Sequence, residues 1–224
     1  MQITRVKDLD EGIEAAFDLF KQQVVSANRP VIALSGGSTP EPLYSAFQSY
    51  YSGKPQHVSP GFCWVDERIV SYDSPRSNYG SCVQRFPAVK NFTRVPFPTE
   101  LPVEEIPDVY RRSLKAYGLC NTDGLLTPTV SIVGMGADGH TASVFPGVPL
   151  VHGNDVAAMC VQPNTNEWRA TLTLQTILGS EMIIALVFGK DKQVSLRKCL
   201  TTPSALPFGQ LVSKRLFLIT DIDV

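Results

Sequence analysis

Apolar residues gather along the chain in short unbroken runs. The clearest are Val31–Leu34 (VIAL), Phe62–Val65 (FCWV), Val130–Val133 (VSIV), Met182–Phe188 (MIIALVF) and Leu216–Ile219 (LFLI). Runs without polar alternation predict strands of a parallel sheet that is covered on both faces. Between them lie amphipathic segments. Ile13, Ala16, Phe17, Phe20 and Val24 share one helical face, and Val109 to Tyr117 predicts another helix. Pro40 suits the first position of a further helix, with Thr39 as its cap. Strands alternating with helices predict an open, mostly parallel α/β sheet with helices on both faces, a Rossmann-like three-layer sandwich. The Pro-rich stretch from Pro87 to Pro107 reads as a long surface connection. No repeat, low-complexity tract or shift in composition marks a boundary, so one domain is expected over residues 1–224.

Composition narrows the class. A hydrophobic share of 43% excludes a disordered chain, and a net charge of −1 argues against a broad basic face for nucleic acid. A small basic pocket remains allowed. The five cysteines (Cys63, Cys82, Cys120, Cys160 and Cys199) are widely spaced, odd in number and without a CxxC pair. That pattern predicts reduced, buried thiols of a cytosolic protein. His57, His140 and His152 are the three histidines, and none sits in an HxxxH spacing, so no protein-built transition-metal site is expected. Met1 to Asp10 lacks the apolar centre of a signal peptide. The longest apolar run falls far below the roughly 20 residues that span a bilayer. A cytoplasmic location follows as the expectation, with no membrane partner.

Ligands of open α/β sheets bind beyond the carboxyl ends of the strands, so the residues after each run carry the functional question. After VIAL comes Ser35-Gly36-Gly37-Ser38-Thr39-Pro40. Paired glycines and a following helix N-terminus can cradle a phosphate, although the lysine of a P-loop is missing. A plain strand-to-helix turn explains the same residues. After FCWV comes Asp66-Glu67-Arg68, three charges that either line a cleft or form a solvated strand end. After VSIV comes Gly134-Met135-Gly136-Ala137-Asp138-Gly139-His140-Thr141-Ala142-Ser143. Its GxGxxG spacing raises dinucleotide binding, but Pro146, Gly147 and Pro149 interrupt the expected helix. The acidic residue about 20 positions on would be Asp155, which precedes an apolar run instead of ending one. A carboxylate two residues before an imidazole suits a general base better, with a structural histidine as the plainer account of His140. His57 and His152 sit in polar loops and read as surface residues. Arg169 opens a predicted strand in Trp168–Thr173, and Lys190 follows the strongest apolar run. Together they suit a phosphate, while each alone reads as an exposed basic residue.

These motifs, in this order, resemble the 6-phosphogluconolactonase family, within a superfamily that includes glucosamine-6-phosphate deaminases. GMGADGHTASVFPG (Gly134–Gly147) is the most specific, supported by GGSTP from Gly36, WVDER (Trp64–Arg68), SNYG (Ser77–Gly80), RATLT (Arg169–Thr173) and GK (Gly189–Lys190). The resemblance implies hydrolysis of 6-phospho-D-glucono-1,5-lactone in the oxidative pentose phosphate pathway, without metal or organic cofactor. It implies Gly37, Ser38, Arg169 and Lys190 around the 6-phosphate, with Gly36, Thr39, Asn78, Gly136 and Gly139 completing the substrate-binding set. It implies His140 as the base that activates water, Asp138 and Asp66 as orienting groups, and Arg68 as the cation that meets developing charge. The deaminases carry an acidic residue five positions after the motif histidine, where this chain has Phe145. Phe217 stands where the lactonases often hold Trp. A deaminase or isomerase of amino-sugar phosphates, and a non-catalytic phosphosugar-binding regulator, are the alternatives. Phe145 argues against the first and the intact His/Asp/Arg set against the second.

Overall fold

The structure, a computed structural model, describes residues 1–52, 59–121 and 124–224. His57 lies outside the described residues. In chain order the first elements are β1 (Gln2–Arg5), α1 (Leu9–Ser26), β2 (Val31–Leu34), α2 (Glu41–Tyr51), β3 (Gly61–Trp64), β4 (Asp66–Arg68) and α3 (Asn78–Arg85). There follow β5 (Thr93–Val95), α4 (Ile106–Ala116), β6 (Val130–Gly134), β7 (Ala157–Val161), β8 (Trp168–Leu172), α5 (Leu174–Leu178), β9 (Met182–Val187), α6 (Gln193–Thr201) and β10 (Leu216–Thr220).

Seven strands form a sheet in the order β1-β10-β9-β6-β2-β3-β5, parallel at every pairing. Every residue of β2, β3 and β9 is buried, which is why these runs carry no polar alternation. Helix α1 packs across β6, β9 and β10 through Ile13, Ala16, Phe20 and Val24, and the Asp8 carboxylate caps its first turn. The open, parallel α/β expectation holds, and each of the six predicted strands, the five apolar runs and Trp168–Thr173, is present with ends shifted by one residue at most. Strand order reverses between β2 and β6. The chain moves from β2 outward to β3 and β5, then returns to the other side of β2 through β6. The loops after β2 and β6 therefore face each other across the crevice where such sheets bind ligands.

Several expectations need correction. Helix α2 begins at Glu41, with Pro40 in the cap position and no side-chain cap from Thr39. The stretch from Pro87 to Pro107 is no surface connection. It contributes β5 at the sheet edge and buries Val89, Val95, Phe97 and Ile106. The helix expected from Val109 starts at Ile106 and ends at Ala116.

The predicted strand over Trp168–Thr173 belongs to a second sheet, in which β4, β8 and β7 pair antiparallel in that order. Val65 hands the chain from one sheet to the other. Its N–H donates to the Leu34 carbonyl of the large sheet, and its carbonyl accepts from Leu172 of the small one at 2.7 Å. The five cysteines are free thiols; Cys63, Cys82, Cys160 and Cys199 are buried as expected, whereas Cys120 is only half-buried. Among the described residues no helix is long and apolar enough to cross a membrane.

Helix α2 carries the loop after β2, and aromatic packing holds it. Phe47 is fully buried with its ring 4.5 Å from Phe20, 5.9 Å from Phe86 and 6.2 Å from Phe17 between centroids. Phe47→Ala should therefore cost about 3–5 kcal/mol of unfolding free energy, by the lost transfer and cavity terms, in a urea titration followed by circular dichroism.

Candidate active site

The crevice holds a cavity of about 380 Å³, within the range of small-molecule sites. One wall is the loop after β2, with Gly36, Gly37, Ser38 and Thr39 all lining it. Gly37 adopts φ +100°, which an L side chain rarely tolerates, so the tight turn at the cavity wall requires glycine there. The Tyr44 hydroxyl bonds the Ser35 carbonyl and so ties α2 to this loop.

The opposite wall is the loop after β6. His140 lines the cavity and Asp138 stands behind it, with Nδ1 2.6 Å from the Asp138 carboxylate, which also accepts the His140 N–H at 3.1 Å. Gly136 lets the ring lie flat on the loop: a Cβ there would overlap both the imidazole and the Asp138 carboxylate. The turn is closed by Gly136 N–H on the His140 carbonyl and by Thr141 Oγ1 on the Gly134 carbonyl. Gly139 does not line the cavity. It sits buried behind the loop, its carbonyl accepting the Phe208 N–H. Phe145 does line it, with its ring 4.8 Å from that of His140.

The floor is one face of the small sheet. Side chains alternate along a strand, so Asp66 and Arg68 of β4 point to the cavity while Glu67 points away. Asp66 accepts from Asn78 Nδ2 at 3.1 Å on one oxygen and from Ser143 Oγ at 2.8 Å on the other. Both oxygens are thus fixed. Arg68 stands directly opposite Arg169 in the β4–β8 ladder. Two like charges at opposed positions destabilise a sheet unless an anion joins them. Burial and then the Arg68 charge hold the Arg169 guanidinium below its usual range. The Nε atoms of Arg68 and Arg169 are buried without a hydrogen-bond partner among the described residues. Other nitrogens of the pair are engaged, Arg68 Nη1 on the Arg76 carbonyl at 2.7 Å and Arg169 Nη2 beside the Glu167 carboxylate at 3.4 Å, which leaves the two Nε hydrogens to an anion.

Of the expected residues, the structure brings Gly36, Gly37, Ser38, Thr39, Asp66, Arg68, Asn78, Gly136, His140 and Arg169 to one cavity. Lys190 is not brought there. It is exposed, and Lys192 takes that wall, with Nζ donating to the Phe188 carbonyl at 2.6 Å. The short helical turn after Gly189 points successive side chains in different directions, which the position of Lys190 after its strand did not reveal. Sequence reading also missed Ser143, Gln162 and the role of Glu67. The run before Gln162, Ala157–Val161, is short and rich in alanine, a composition that does not mark a strand or its carboxyl end. His152 is exposed, as expected. Among the described residues, no three His, Cys, Asp or Glu side chains converge as metal ligands.

Fold and site together define an α/β protein whose switch-point crevice pairs a carboxylate-held imidazole with clustered cations. The family model described as glucosamine-6-phosphate isomerases/6-phosphogluconolactonase matches residues 7–217, and the chain belongs to that family. It is 31% identical over 208 residues to a 6-phosphogluconolactonase of Aggregatibacter actinomycetemcomitans, covering 88% of this chain and 84% of that one. A Haemophilus influenzae 6-phosphogluconolactonase is likewise 31% identical over 206 residues, covering 86% and 85%. Among solved structures, a 6-phosphogluconolactonase from Trypanosoma cruzi superposes with a TM-score of 0.81 at 25% identity, covering 98% of this chain and 93% of that one.

Glu67 fastens this site from behind. Its buried carboxylate accepts from the N–H groups of Arg68, Asn78 and Tyr79 at 2.7–2.8 Å and from Ser77 Oγ at 3.1 Å. Burial raises its pKa, and the three backbone donors pull it back. Glu67→Ala should remove about 3 kcal/mol in denaturant titration, because it leaves buried donors at the α3 N-terminus unsatisfied.

Proposed function

We propose that the cavity binds and hydrolyses 6-phospho-D-glucono-1,5-lactone to 6-phospho-D-gluconate, as the names of the relatives suggest, in the pentose phosphate pathway. The observation that carries this reading is the meeting, in one cavity, of the Asp138–His140 pair with the opposed guanidinium groups of Arg68 and Arg169. Support for one catalytic domain comes from the cavity itself, whose walls draw on both sheets. The cytoplasm is the proposed location.

The Asp138 carboxylate on Nδ1 favours the tautomer with hydrogen on that nitrogen, which leaves the Nε2 lone pair as the base. Nε2 takes a proton from water as the water oxygen attacks C1 of the lactone. Negative charge then grows on the carbonyl oxygen. The amides of Gly136, Gly139 and His140 are already bonded within the loop, so Arg68 is the favoured donor to that oxygen. The bond from C1 to the ring oxygen breaks, and the ring oxygen receives the proton held on Nε2. One water is consumed and the histidine is restored. Asp66, locked by Asn78 and Ser143, offers a fixed negative wall that orients the attacking water and the sugar. The 6-phosphate lies with Arg169, Lys192 and the Gly37–Ser38 amides, where a bidentate guanidinium and a point charge complement each other. Phe145, against the imidazole, can move no proton, which disfavours the ring-opening chemistry of the deaminase branch.

His140→Ala should lower kcat by about 10²–10⁴-fold with binding of 6-phosphogluconate retained. Turnover is followed on freshly generated lactone, corrected for spontaneous hydrolysis, and unchanged turnover would exclude the base assignment. Arg169→Ala should instead raise KM about 10–100-fold with little change in kcat, as expected for one lost charge-assisted contact. Unphosphorylated gluconolactone should be a poor substrate of the wild type, and equal kcat/KM for the two lactones would remove the phosphate pocket from the mechanism.

A further inference from the structure

Gln162 follows β7 and lines the cavity, yet none of the steps above uses it. Its side-chain oxygen accepts the N–H groups of Asn164 at 2.7 Å and Thr165 at 2.5 Å. Its own N–H donates to the Glu167 carbonyl and its carbonyl accepts from Asn166, both at 2.9 Å. The loop between β7 and β8 thus holds the residue at backbone and side chain. An amide is planar, so an oxygen pinned to the loop fixes the direction of the NH₂ group as well. That group has two hydrogens to offer.

Register places the group. Cys160 stands opposite Arg169 in the β7–β8 ladder, and Gln162 lies two residues further on, just past the end of β7 and level with Glu167. A period of two puts Gln162 on the face that carries Arg169, at the diagonal distance of about 7–8 Å within which long side chains meet. Arg68 flanks Arg169 from β4 on the other side. Gln162 therefore borders the anion pocket on the side away from Arg68 and the reacting carbonyl.

We propose that Gln162 is a further phosphate-binding residue, a neutral donor that closes the outer side of the pocket beside Arg169. The proposal rests on the phospholactone reading of the site. A neutral amide adds a directed hydrogen bond where a third cation would add repulsion to the Arg68–Arg169 pair. Gln162 thus makes the pocket select for the geometry of the phosphate as well as its charge.

The test compares Q162A with Q162E. The glutamate variant keeps an acceptor for the Asn164 and Thr165 amides, so the loop stays pinned while the donor becomes an anionic oxygen. Calorimetric titration with 6-phosphogluconate and with inorganic phosphate should show about tenfold weaker binding in Q162A, the cost of one hydrogen bond to a charged oxygen. Q162E should lose more than Q162A. KM for the phospholactone should rise in parallel with kcat within twofold, while kcat/KM for unphosphorylated gluconolactone stays at the wild-type value. Unchanged phosphate binding in Q162E would overturn the proposal. An equal loss on both lactones would overturn it too, by making Gln162 a hydroxyl donor or a structural residue. Should the wild type turn over no phospholactone, the functional reading falls, and the titration with inorganic phosphate still decides the role of Gln162.

Discussion

The carboxylate of Glu67 receives four hydrogen bonds inside the protein, three from backbone amides and one from Ser77. Much of the site hangs on that anchorage. Glu67 lies two residues past Val65, where the chain passes from the parallel sheet to the antiparallel one, and two of its donors, Asn78 and Tyr79, begin α3. Alternation then turns Asp66 and Arg68 to the opposite side, into the cavity, while α3 brings Asn78 against Asp66. Removing a carboxylate from water is costly, and the donors at a helix N-terminus recover that cost while orienting both flanking functional residues. The rigidity of the cavity floor is in this sense produced by a residue that never touches the cavity.

Electrostatics in the site run opposite to the chain as a whole. The net charge is −1, yet Arg68, Arg169 and Lys192 meet at one crevice. Asp66 and Glu167 partly balance the guanidinium pair: Glu167 lies 3.4 Å from Arg169, and the two oxygens of Asp66 are held by neutral donors. Opposed arginines and two buried, unpartnered Nε atoms leave a standing demand for an anion. Such a site is pre-organised: the unfavourable proximity of like charges is settled on folding, and a phosphate entering it relieves repulsion as well as forming contacts.

The two crevice walls divide the work by their physical character. The loop after β2 offers backbone amides and hydroxyls and rests on an aromatic cluster around Phe47. The loop after β6 offers the imidazole, held by Asp138 and by close approach over Gly136. A reversal of strand order places these two loops face to face.

The linear sequence by itself determined the parallel sheet, because strands buried on both faces must be apolar throughout and VIAL, FCWV, VSIV, MIIALVF and LFLI are. It also determined the shape of the loops that follow them, since Gly36–Thr39 and Gly134–His140 are built from local turns and short-range contacts. Tertiary structure alone decided the rest. Of the small sheet the sequence marks β8 alone: β4 is short and charged, β7 is short and rich in alanine, and their pairing joins segments far apart in the chain. The opposition of Arg68 to Arg169, the Ser143 bond to Asp66 and the place of Gln162 all follow from that pairing. The exchange of Lys190 for Lys192 has a smaller cause, the direction of one helical turn. Residue type and order can name the groups a site needs, but which of two neighbouring lysines reaches it is settled by where the backbone turns.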